Sequence, residues 1–315
     1  MYESLTQLIP KLCEDEYGTW IIDHESKGTL DDPIQMPFVG YSRAVNELEK
    51  AIYAFVSEHP EYELTEYSEI LETNGLKWES RSMSEADVSH ADGKLVMALL
   101  VGALRADRFC EGALLGFLED GSVARWLERL KEIDEADNAL RDAGIRTVMN
   151  MADSDQSMKR FADFGLTAYS QCDIIALDMT MNYDSDDFRK DLADGFRYIA
   201  SHEGPYLIHC VEGKDRTGYA AAILECLMGA GADEVVKDYM ITYYNFYGIE
   251  AGTDQYKQIA ASNIEAVLAK AFGIKSIYDD GADLSSCAEV FLKDIGMNDD
   301  EITSLKENLI HTMNP

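Results

Sequence analysis

Apolar residues at helical spacing dominate the first 133 positions of the chain. After Ser42, a residue that favours the start of a helix, apolar side chains recur every three or four positions as far as about Glu58. This pattern predicts a capped helix, and only the stretch near Trp20 has the composition of a strand. We therefore predict that residues 1–133 form a mainly α domain. The same spacing predicts further helices over residues 62–74, 95–105, 109–118 and 123–133.

From residue 134 onward, short apolar segments alternate with helical ones. This alternation is typical of a mostly parallel central sheet flanked by helices, so residues 134–315 are predicted to form an α/β domain. The charged stretch at 131–137 marks the boundary between the two domains. Strands are predicted over 145–151, 174–179 and 206–210. Helices are predicted over 137–143, 158–164, 185–202, 217–228, 234–246, 256–272, 283–295 and 298–311.

The composition narrows the classes of function. The chain of 315 residues carries a formal net charge of −32 and has no Lys/Arg-rich run, which argues against nucleic-acid binding. No apolar run reaches the ~18 residues that a membrane-spanning helix needs, and the first residues lack the features of a signal peptide. The six cysteines are scattered, without metal-ligand spacing. These features predict a cytoplasmic protein without a metal site or cofactor and without integral membrane contact.

The candidate chemistry lies between a short apolar segment that ends at Ile208 and an Ala/Leu-rich segment that begins at Thr217. Cys210 and Arg216 lie in this connection, with five residues between them. A loop that joins a strand to a helix N-terminus directs its backbone N–H groups at one point, which attracts an anion. The same field lowers the pKa of a thiol, so Cys210 is predicted to be a nucleophilic thiolate.

The other loop residues complete a predicted phosphate site. Arg216 offers a planar fork of donors that matches two phosphate oxygens. Thr217 can donate a hydrogen bond to the thiolate, Lys214 adds a second cation, and Asp215 places a carboxyl group at the rim. The backbone N–H groups of the loop would bind the remaining phosphate oxygens. The loop residues predicted to bind phosphate are Val211, Glu212, Gly213, Lys214 and Thr217.

The segment His209-Cys210-x5-Arg216-Thr217 resembles the signature of cysteine-based phosphatases. The fuller string, Cys-x-x-Gly-Lys-Asp-Arg-Thr-Gly, is similar to that of the bacterial tyrosine-phosphatase branch, which includes lipid-phosphatase members. The resemblance covers about residues 134–315. A nucleotide P-loop is excluded, because Gly213-Lys214 is followed by Asp215 and no glycine lies five residues before Gly213.

The identity of the general acid stays open at this stage. Asp215 is the first choice because it lies in the loop itself, and Asp153 and Asp178 are alternatives near predicted strand ends. The chain departs from the family in two ways. It has Asn150-Met-Ala-Asp153-Ser154 where relatives often show Asp-Leu-Arg-Ser, and it has little sequence before the strand at 145–151, where relatives usually carry a further strand or hairpin.

The resemblance implies a protein tyrosine phosphatase that forms a phosphocysteine, with Cys210, Asp215 and Arg216 as catalytic residues. Its partners would be a phosphorylated protein or a small phosphomonoester. One alternative is a phosphoinositide phosphatase, because Lys214 could bind a second phosphate. Another is a module that binds phosphotyrosine without turnover. Turnover of an aryl phosphate would distinguish the enzyme from the binding module.

Three further features carry weaker interpretations. Segments of the first domain, above all Arg105-Ala-Asp-Arg-Phe-Cys-Glu-Gly, resemble a bacterial domain family of unknown function, DUF6508. Within it, the polar residues at 107–111 are interpreted as a salt-bridge and capping cluster rather than a site. The aromatic run from Tyr239 to Tyr247 is interpreted mainly as core, because its spacing is helical. His24, His59 and His90 lack ligand spacing and are interpreted as surface or turn residues.

Overall fold

The computed structural model describes residues 1–14, 16–22, 27–33, 36–161, 163–279 and 281–313. Residues 311–313 are described by their backbone alone. The chain forms two compact units. Unit 1 comprises Met1–Leu140 and Lys159–Thr167, and unit 2 comprises Arg141–Met158 and Ala168–Pro315. The interpretation of His24 as a surface residue lies outside the described residues. The boundary at 133/134 stays a prediction.

Unit 1 is mostly helical, as predicted. It contains one two-stranded antiparallel sheet, in which Gly18 pairs with Tyr41 and Ile21 with Phe38. The helices surround a core of buried apolar side chains that includes Leu48, Leu99 and Trp126. The elements are α1 (Glu3–Thr6), α2 (Ile9–Glu14), β1 (Gly18–Ile21), β2 (Phe38–Tyr41), α3 (Arg43–Glu58), α4 (Tyr67–Thr73), α5 (Ser80–Ser84), α6 (Gly93–Phe109), α7 (Ala113–Glu119) and α8 (Ser122–Asp142).

Side-chain caps fix the two helices at the centre of unit 1. The Ser42 hydroxyl accepts a hydrogen bond from the backbone N–H of Val45 at the start of α3, which confirms the predicted cap. Asp92 accepts from Leu95 N–H in the same way at the start of α6. Helix α6 is apolar on nearly all sides, so it lies in the core. The helix predicted over 62–74 is shorter than expected: two 3-10 turns precede α4.

The polar residues at 107–111 support the structure of unit 1. One carboxylate oxygen of Asp107 accepts hydrogen bonds from the Tyr41 hydroxyl at 2.7 Å and from the backbone N–H of Leu114 at 2.9 Å. Glu111 accepts from Val39 N–H at 2.7 Å. These carboxylates therefore bind the start of α7 and strand β2, which agrees with their interpretation as a capping cluster.

Unit 2 is built on a three-stranded parallel sheet, which confirms the predicted α/β class. Strand β3 (Thr147–Asn150) lies between β4 (Asp173–Ala176) and β5 (Tyr206–His209). In this register Asn150 is level with Ala176 and with His209, so the three strands end at one edge. The helices of unit 2 are α9 (Asp155–Met158), α10 (Asp186–Ser201), α11 (Asp215–Leu227), α12 (Ala232–Tyr247), α13 (Asp254–Ala260), α14 (Ala266–Phe272), α15 (Leu284–Asp294) and α16 (Asp299–Met313).

The helices predicted over 137–143 and 158–164 also differ from the structure. The helix predicted over 137–143 is the end of α8, which runs unbroken through the charged stretch at 131–137, because charged residues are compatible with a solvated helix. The helix predicted over 158–164 is wrong: α9 ends at Met158, and the described residues that follow include a 3-10 turn over Phe164–Leu166. The chain leaves unit 2 here, since Lys159–Thr167 belong to unit 1.

The short excursion at 159–167 is fixed in unit 1 by Asp163, which is only 6% exposed. Its carboxylate accepts hydrogen bonds from the Tyr2 hydroxyl and from the backbone N–H of Gly93, both at 3.3 Å. The Tyr2 hydroxyl also lies 2.6 Å from that of Tyr62. A buried carboxylate needs such donors, so this cluster determines where the excursion lies.

The aromatic run on α12 divides between core and surface. Tyr239 and Tyr243 are buried, as the interpretation of this run required, whereas Tyr244, Phe246 and Tyr247 are each more than half exposed. Close packing of α11 against α12 depends on Gly218, because a Cβ there would lie 2.7 Å from the Tyr239 ring. Among the described residues, no helix is long and apolar enough to span a bilayer.

Candidate active site

The loop from Cys210 to Lys214 connects the end of β5 to the first turn of α11. It therefore begins at the carboxyl edge of the sheet, where ligands of parallel α/β folds bind. Gly213 has a φ of +66°, a conformation that a glycine adopts without strain. The backbone N–H groups at the start of α11 have no carbonyl partner within the helix. Together these features make the concave anion site that the sequence predicts.

Cys210 is partly buried at the base of this loop. Burial alone would raise the pKa of the Cys210 thiol, but hydrogen bonds from the Thr217 hydroxyl and from the backbone N–H groups of Thr217, Gly213 and Glu212 outweigh it, so the pKa lies below its ordinary value. The buried Thr217 hydroxyl has no competing partner among the described residues, so it is available to the Cys210 sulfur. The loop thus favours a thiolate at this position.

Arg216 is held in place by backbone oxygens. Its Nη1 donates hydrogen bonds of 2.7 Å to the carbonyls of Met151 and Met179, which follow strands β3 and β4. Its Nε is buried and has no partner among the residues that the structure describes. A buried, unpaired guanidinium N–H is costly, and its geometry suits a bidentate oxyanion. The position of this group therefore fits a phosphate bound above Cys210.

Lys214 turns toward α12. Its Nζ lies 3.0 Å from a Glu212 carboxylate oxygen and 3.4 Å from the Tyr247 hydroxyl. It also lies 5.8 Å and 5.6 Å from the ring centroids of Tyr243 and Tyr247. The Glu212 carboxylate, followed by these neighbours, raises the pKa of Lys214, so the ammonium stays charged. Lys214 consequently joins the loop to the aromatic end of α12.

A hydrogen-bonded chain supports the strand that carries Cys210. His209 Nδ1 lies 3.2 Å from the Cys210 carbonyl oxygen, and Nε2 lies 2.7 Å from the Tyr169 hydroxyl. Burial lowers the pKa of His209, so the ring is neutral at pH 7. Because a carbonyl can only accept, Nδ1 carries the proton and Nε2 accepts from Tyr169. This arrangement orients the ring rather than supplying a charge.

Asn150 and Asp153 form the turn after β3. The Asn150 side-chain oxygen accepts from the backbone N–H groups of Ala152 and Asp153 at 2.8 and 3.0 Å. The Asn150 amide donates to the Asp153 carboxylate at 3.3 Å, and the Ser157 hydroxyl donates to it at 3.2 Å. Asn150 thus shapes the turn whose Met151 carbonyl accepts from Arg216. The Asp153 carboxylate is already engaged in this turn.

All three candidate acids lie at the carboxyl edge of the sheet. Asp215 occupies the first turn of α11, with a carboxylate oxygen 3.7 Å from Lys214 Nζ. Asp178 is exposed, has a φ of +46°, and donates its backbone N–H to the Asp153 carbonyl. It therefore helps to join the turns after β3 and β4. Of the three, Asp215 is the carboxyl group in the loop that holds Cys210.

Tyr183 is a site residue that the sequence did not indicate. It is half-buried, and burial, followed by the charges of Asp215 and Cys210, raises the pKa of its phenol. Its ring centroid lies 4.7 Å from that of Tyr219 on α11. The sequence could have indicated Tyr183 through its place in the loop that follows β4, because loops at the carboxyl ends of parallel strands often hold functional residues.

The described residues contain no cluster of three or more His, Cys, Asp or Glu side chains that could hold a metal ion. What the loop does bring together is a low-pKa thiol, an arginine fixed by backbone oxygens and a nest of N–H groups. A strand–loop–helix of this composition suits a tetrahedral oxyanion, and a thiolate at its base is a nucleophile.

Comparison with known proteins agrees with this geometry. Residues 127–311 match the model of the tyrosine phosphatase family, which is more than half of the chain, and residues 2–136 match a family of unknown function, DUF6508. The chain belongs to the tyrosine phosphatase family, which confirms the resemblance identified in both parts of the sequence. Membership implies phosphatase activity at the level of the family.

A relative with a related name lends further support. A tyrosine-protein phosphatase of Nostoc commune is 33% identical over 122 residues, which are 36% of this chain. The aligned part covers 42% of that protein, so the chain matches less than half of its length. The likeness therefore concerns a segment of the two proteins rather than their whole architecture.

Proposed function

We propose that the chain is a protein tyrosine phosphatase in which Cys210, Asp215 and Arg216 carry the reaction. The observation that supports this most is the environment of Cys210: a thiol whose pKa is lowered by hydrogen bonds from its own loop. A buried structural cysteine has no such donors, so burial raises its pKa. Burial has this effect on Cys226 in α11. The catalytic part is residues 134–315.

In this proposal the Cys210 sulfur attacks phosphorus and forms an S–P bond, while the bond between phosphorus and the ester oxygen breaks. The loop N–H groups and the free edge of Arg216 bind the three non-bridging oxygens as charge develops on them. The anchoring of Arg216 to two backbone carbonyls supports this role, because a preorganised guanidinium does not have to reorient during the reaction. Val211, Glu212, Gly213, Lys214 and Thr217 form the rest of the phosphate-binding loop.

Asp215 supplies the proton that the departing ester oxygen takes up. In the second half-reaction, the same carboxylate accepts a proton from water as the water oxygen attacks phosphorus, which breaks the S–P bond and releases phosphate. The position of Asp215 in the first turn of α11 supports this role, while the engagement of Asp153 by Asn150 and Ser157 weighs against Asp153. The substrates are phosphotyrosine side chains of proteins.

The test uses the purified full chain with p-nitrophenyl phosphate and a phosphotyrosine peptide. We expect turnover of both, and we expect Cys210→Ser to abolish it while phosphate binding remains, because a hydroxyl with a high pKa cannot replace the thiolate. Acid quenching should trap a phosphorylated wild-type protein whose label lies on the Cys210 peptide.

Two outcomes would contradict the proposal. Activity of Cys210→Ser near that of the wild type would exclude the covalent mechanism. Binding of phosphotyrosine by the wild type without any turnover would identify a binding module instead. Cys287→Ser, at a partly buried cysteine on α15, is the matched control and should leave turnover unchanged.

A further inference from the structure

A cleft of about 390 Å³ opens in unit 2 between α10, α11, α14 and α15. Its volume lies within the range of about 300–1,000 Å³ that is usual for ligand sites. Three aromatic rings line it: Tyr183, Tyr219 and Phe291. Two cations, Arg189 and Lys270, and one carboxylate, Asp184, add the polar part of its wall.

Tyr183 connects this cleft to the candidate active site. The same side chain lines the cleft and lies in the electrostatic field of Cys210, Asp215 and Arg216. A second connection runs through the π-helical turn Ala261–Glu265, which directly precedes α14 and its lining residue Lys270. In that turn, the Asn263 amide donates to the Tyr243 hydroxyl at 2.7 Å, and the Tyr243 ring lies 5.8 Å from Lys214 Nζ.

The charge of the cleft departs from that of the chain. The chain has a net charge of −32, whereas the lining has two cations and one carboxylate. The guanidinium of Arg189 lies 5.6 Å from the Phe291 ring centroid, and its side chain is only 29% exposed, so its plane is held in place. Two cations on a partly desolvated wall, in the same unit as a phosphate-binding loop, can attract a second anionic group.

Both cations already have carboxylate partners, and these pairs are exchangeable. Lys270 pairs with Asp184, and both side chains are more than half exposed; Arg189 pairs with Asp294, which is 67% exposed. An exposed pair such as Lys270–Asp184 contributes about 0–1 kcal/mol, so a carboxylate tethered by a substrate can compete with it. Arg189 can also bind a second carboxylate through its remaining N–H groups.

We propose that this cleft is a subsite for an acidic side chain that flanks the phosphotyrosine of a peptide substrate. Its carboxylate pairs with Arg189 and Lys270, while its aliphatic part packs against the aromatic wall at Tyr183 and Tyr219. The proposal rests on the proposed function, because the phosphotyrosine must occupy the loop at Cys210. It predicts that this enzyme prefers acidic sequences in spite of its own negative charge.

The test measures kcat/KM for phosphotyrosine peptides in which one Glu moves stepwise through three positions on either side, with Gln at the same position as the reference. The wild type should prefer Glu at one or two positions by about tenfold, which corresponds to ~1.4 kcal/mol. Lys270→Gln and Arg189→Gln should remove this preference and leave turnover of p-nitrophenyl phosphate and of the Gln peptides unchanged.

A reciprocal variant keeps the test valid if Arg189→Gln folds poorly. Asp184→Asn removes the competing carboxylate beside Lys270 and should strengthen the Glu preference, a gain that misfolding cannot produce. The matched control is Lys293→Gln on α15, an ion-paired lysine that is not part of the cleft lining, which should leave the preference unchanged.

The outcomes separate the two proposals. If the wild type hydrolyses every phosphotyrosine peptide equally, the subsite is refuted while the phosphatase stands. If no aryl phosphate is hydrolysed, the proposed function fails and the subsite with it. If the Lys270 and Arg189 variants lose activity only on a phosphoinositide bisphosphate relative to its monophosphate, the cleft serves a second lipid phosphate, and the peptide proposal is overturned.

Discussion

The guanidinium of Arg216 donates a 2.7 Å hydrogen bond to the backbone carbonyl of Met179, in the segment that follows strand β4. The same Nη1 also binds the Met151 carbonyl. The arginine of the phosphate loop is thus oriented by the ends of β3 and β4 rather than by a carboxylate, whose charge would oppose a bound phosphate. Substitutions at Arg216 therefore test two things: the guanidinium N–H groups that would bind phosphate, and the hydrogen bonds to backbone carbonyls that orient them.

Arg216→Lys should lower kcat by at least about tenfold, equivalent to ~1.4 kcal/mol of transition-state stabilisation. An ammonium is a point charge and cannot make the bidentate contact. Steady-state kinetics on p-nitrophenyl phosphate measure the change. Arg146→Lys is the control, because Arg146 lies at the amino end of β3, opposite the loop, and pairs with Glu203. An unchanged rate for Arg216→Lys would place this residue away from the phosphate.

Asp215→Asn should slow phosphoryl transfer most for esters with poor leaving groups. We expect a loss of about 100-fold for phenyl phosphate and of less than ~3-fold for an ester of an acidic phenol, which leaves without a proton. The basic limb of the pH profile should flatten as well. Equal losses on both esters with the basic limb intact would assign the acid role elsewhere, and parallel measurements on Asp153→Asn and Asp178→Asn would locate it.

Thr217→Val should raise the pKa of Cys210, because the variant loses a hydrogen bond that stabilises the thiolate. The thiolate exists above its pKa, so activity falls as the pH falls through that value, and the acidic limb should move to higher pH in the variant. Alkylation by iodoacetamide at pH 6.5 should slow in proportion.

The labelling is measured on the Cys210 peptide by mass spectrometry, because Cys13 and Cys110 are exposed and also react. Inorganic phosphate should protect Cys210 in the wild type. Thr303→Val, on the exposed face of α16, should not change the rate. If Thr217→Val labels as fast as the wild type at every pH, the hydroxyl does not stabilise the thiolate.

Glu225→Gln should stabilise the protein at pH 8. Burial, together with the nearby Asp238 carboxylate, raises the pKa of Glu225 from 4.5 to about 8. The folded state therefore keeps a proton that the unfolded state has lost, and the free energy of unfolding falls as the pH rises from about 4.5 to 8. The glutamine cannot ionise, so the variant should lose this decline.

Urea unfolding at pH 5 and pH 8 measures the effect. Each pKa unit corresponds to ~1.4 kcal/mol, and partial exposure reduces it, so we expect a gain of about 1–2 kcal/mol at pH 8. Glu250→Gln, at an exposed position of the same unit, should show the pH dependence of the wild type. A variant that loses stability equally at both pH values would contradict the assigned proton.

The chemistry of the phosphate-binding loop was predictable from the sequence because its residues, Cys210 to Thr217, are continuous along the chain. The strand before Cys210, the helix after it and the helix at 185–202 each depend on neighbouring residues, and the structure has all three. The contacts of Arg216 with residues 37 and 65 positions away depend instead on the order of the strands. No spacing in the sequence encodes that order.

Tyr183 and residues 158–164 show the same limit. The position of Tyr183 beside Cys210 results from two loops that meet at the edge of the sheet. The apolar spacing at 158–164 predicts a helix, yet Asp163 lies buried against Tyr2 hydroxyl and Gly93 N–H, and these tertiary contacts override local propensity. Asn150 differs from the residue that relatives often have, and only its three side-chain hydrogen bonds with Ala152 and Asp153 reveal that it shapes a turn.

The excursion at 159–167 bears on how this pair of units can be inherited. A fragment that starts at residue 134 would retain Asp163 but lose Tyr2, Tyr62 and Gly93, and would leave the Asp163 carboxylate without these hydrogen-bonding partners. The two units are therefore not two continuous stretches of chain that meet at a single boundary. A gene fusion or a domain swap that exchanged the first unit would also have to rewrite nine residues in the middle of the second.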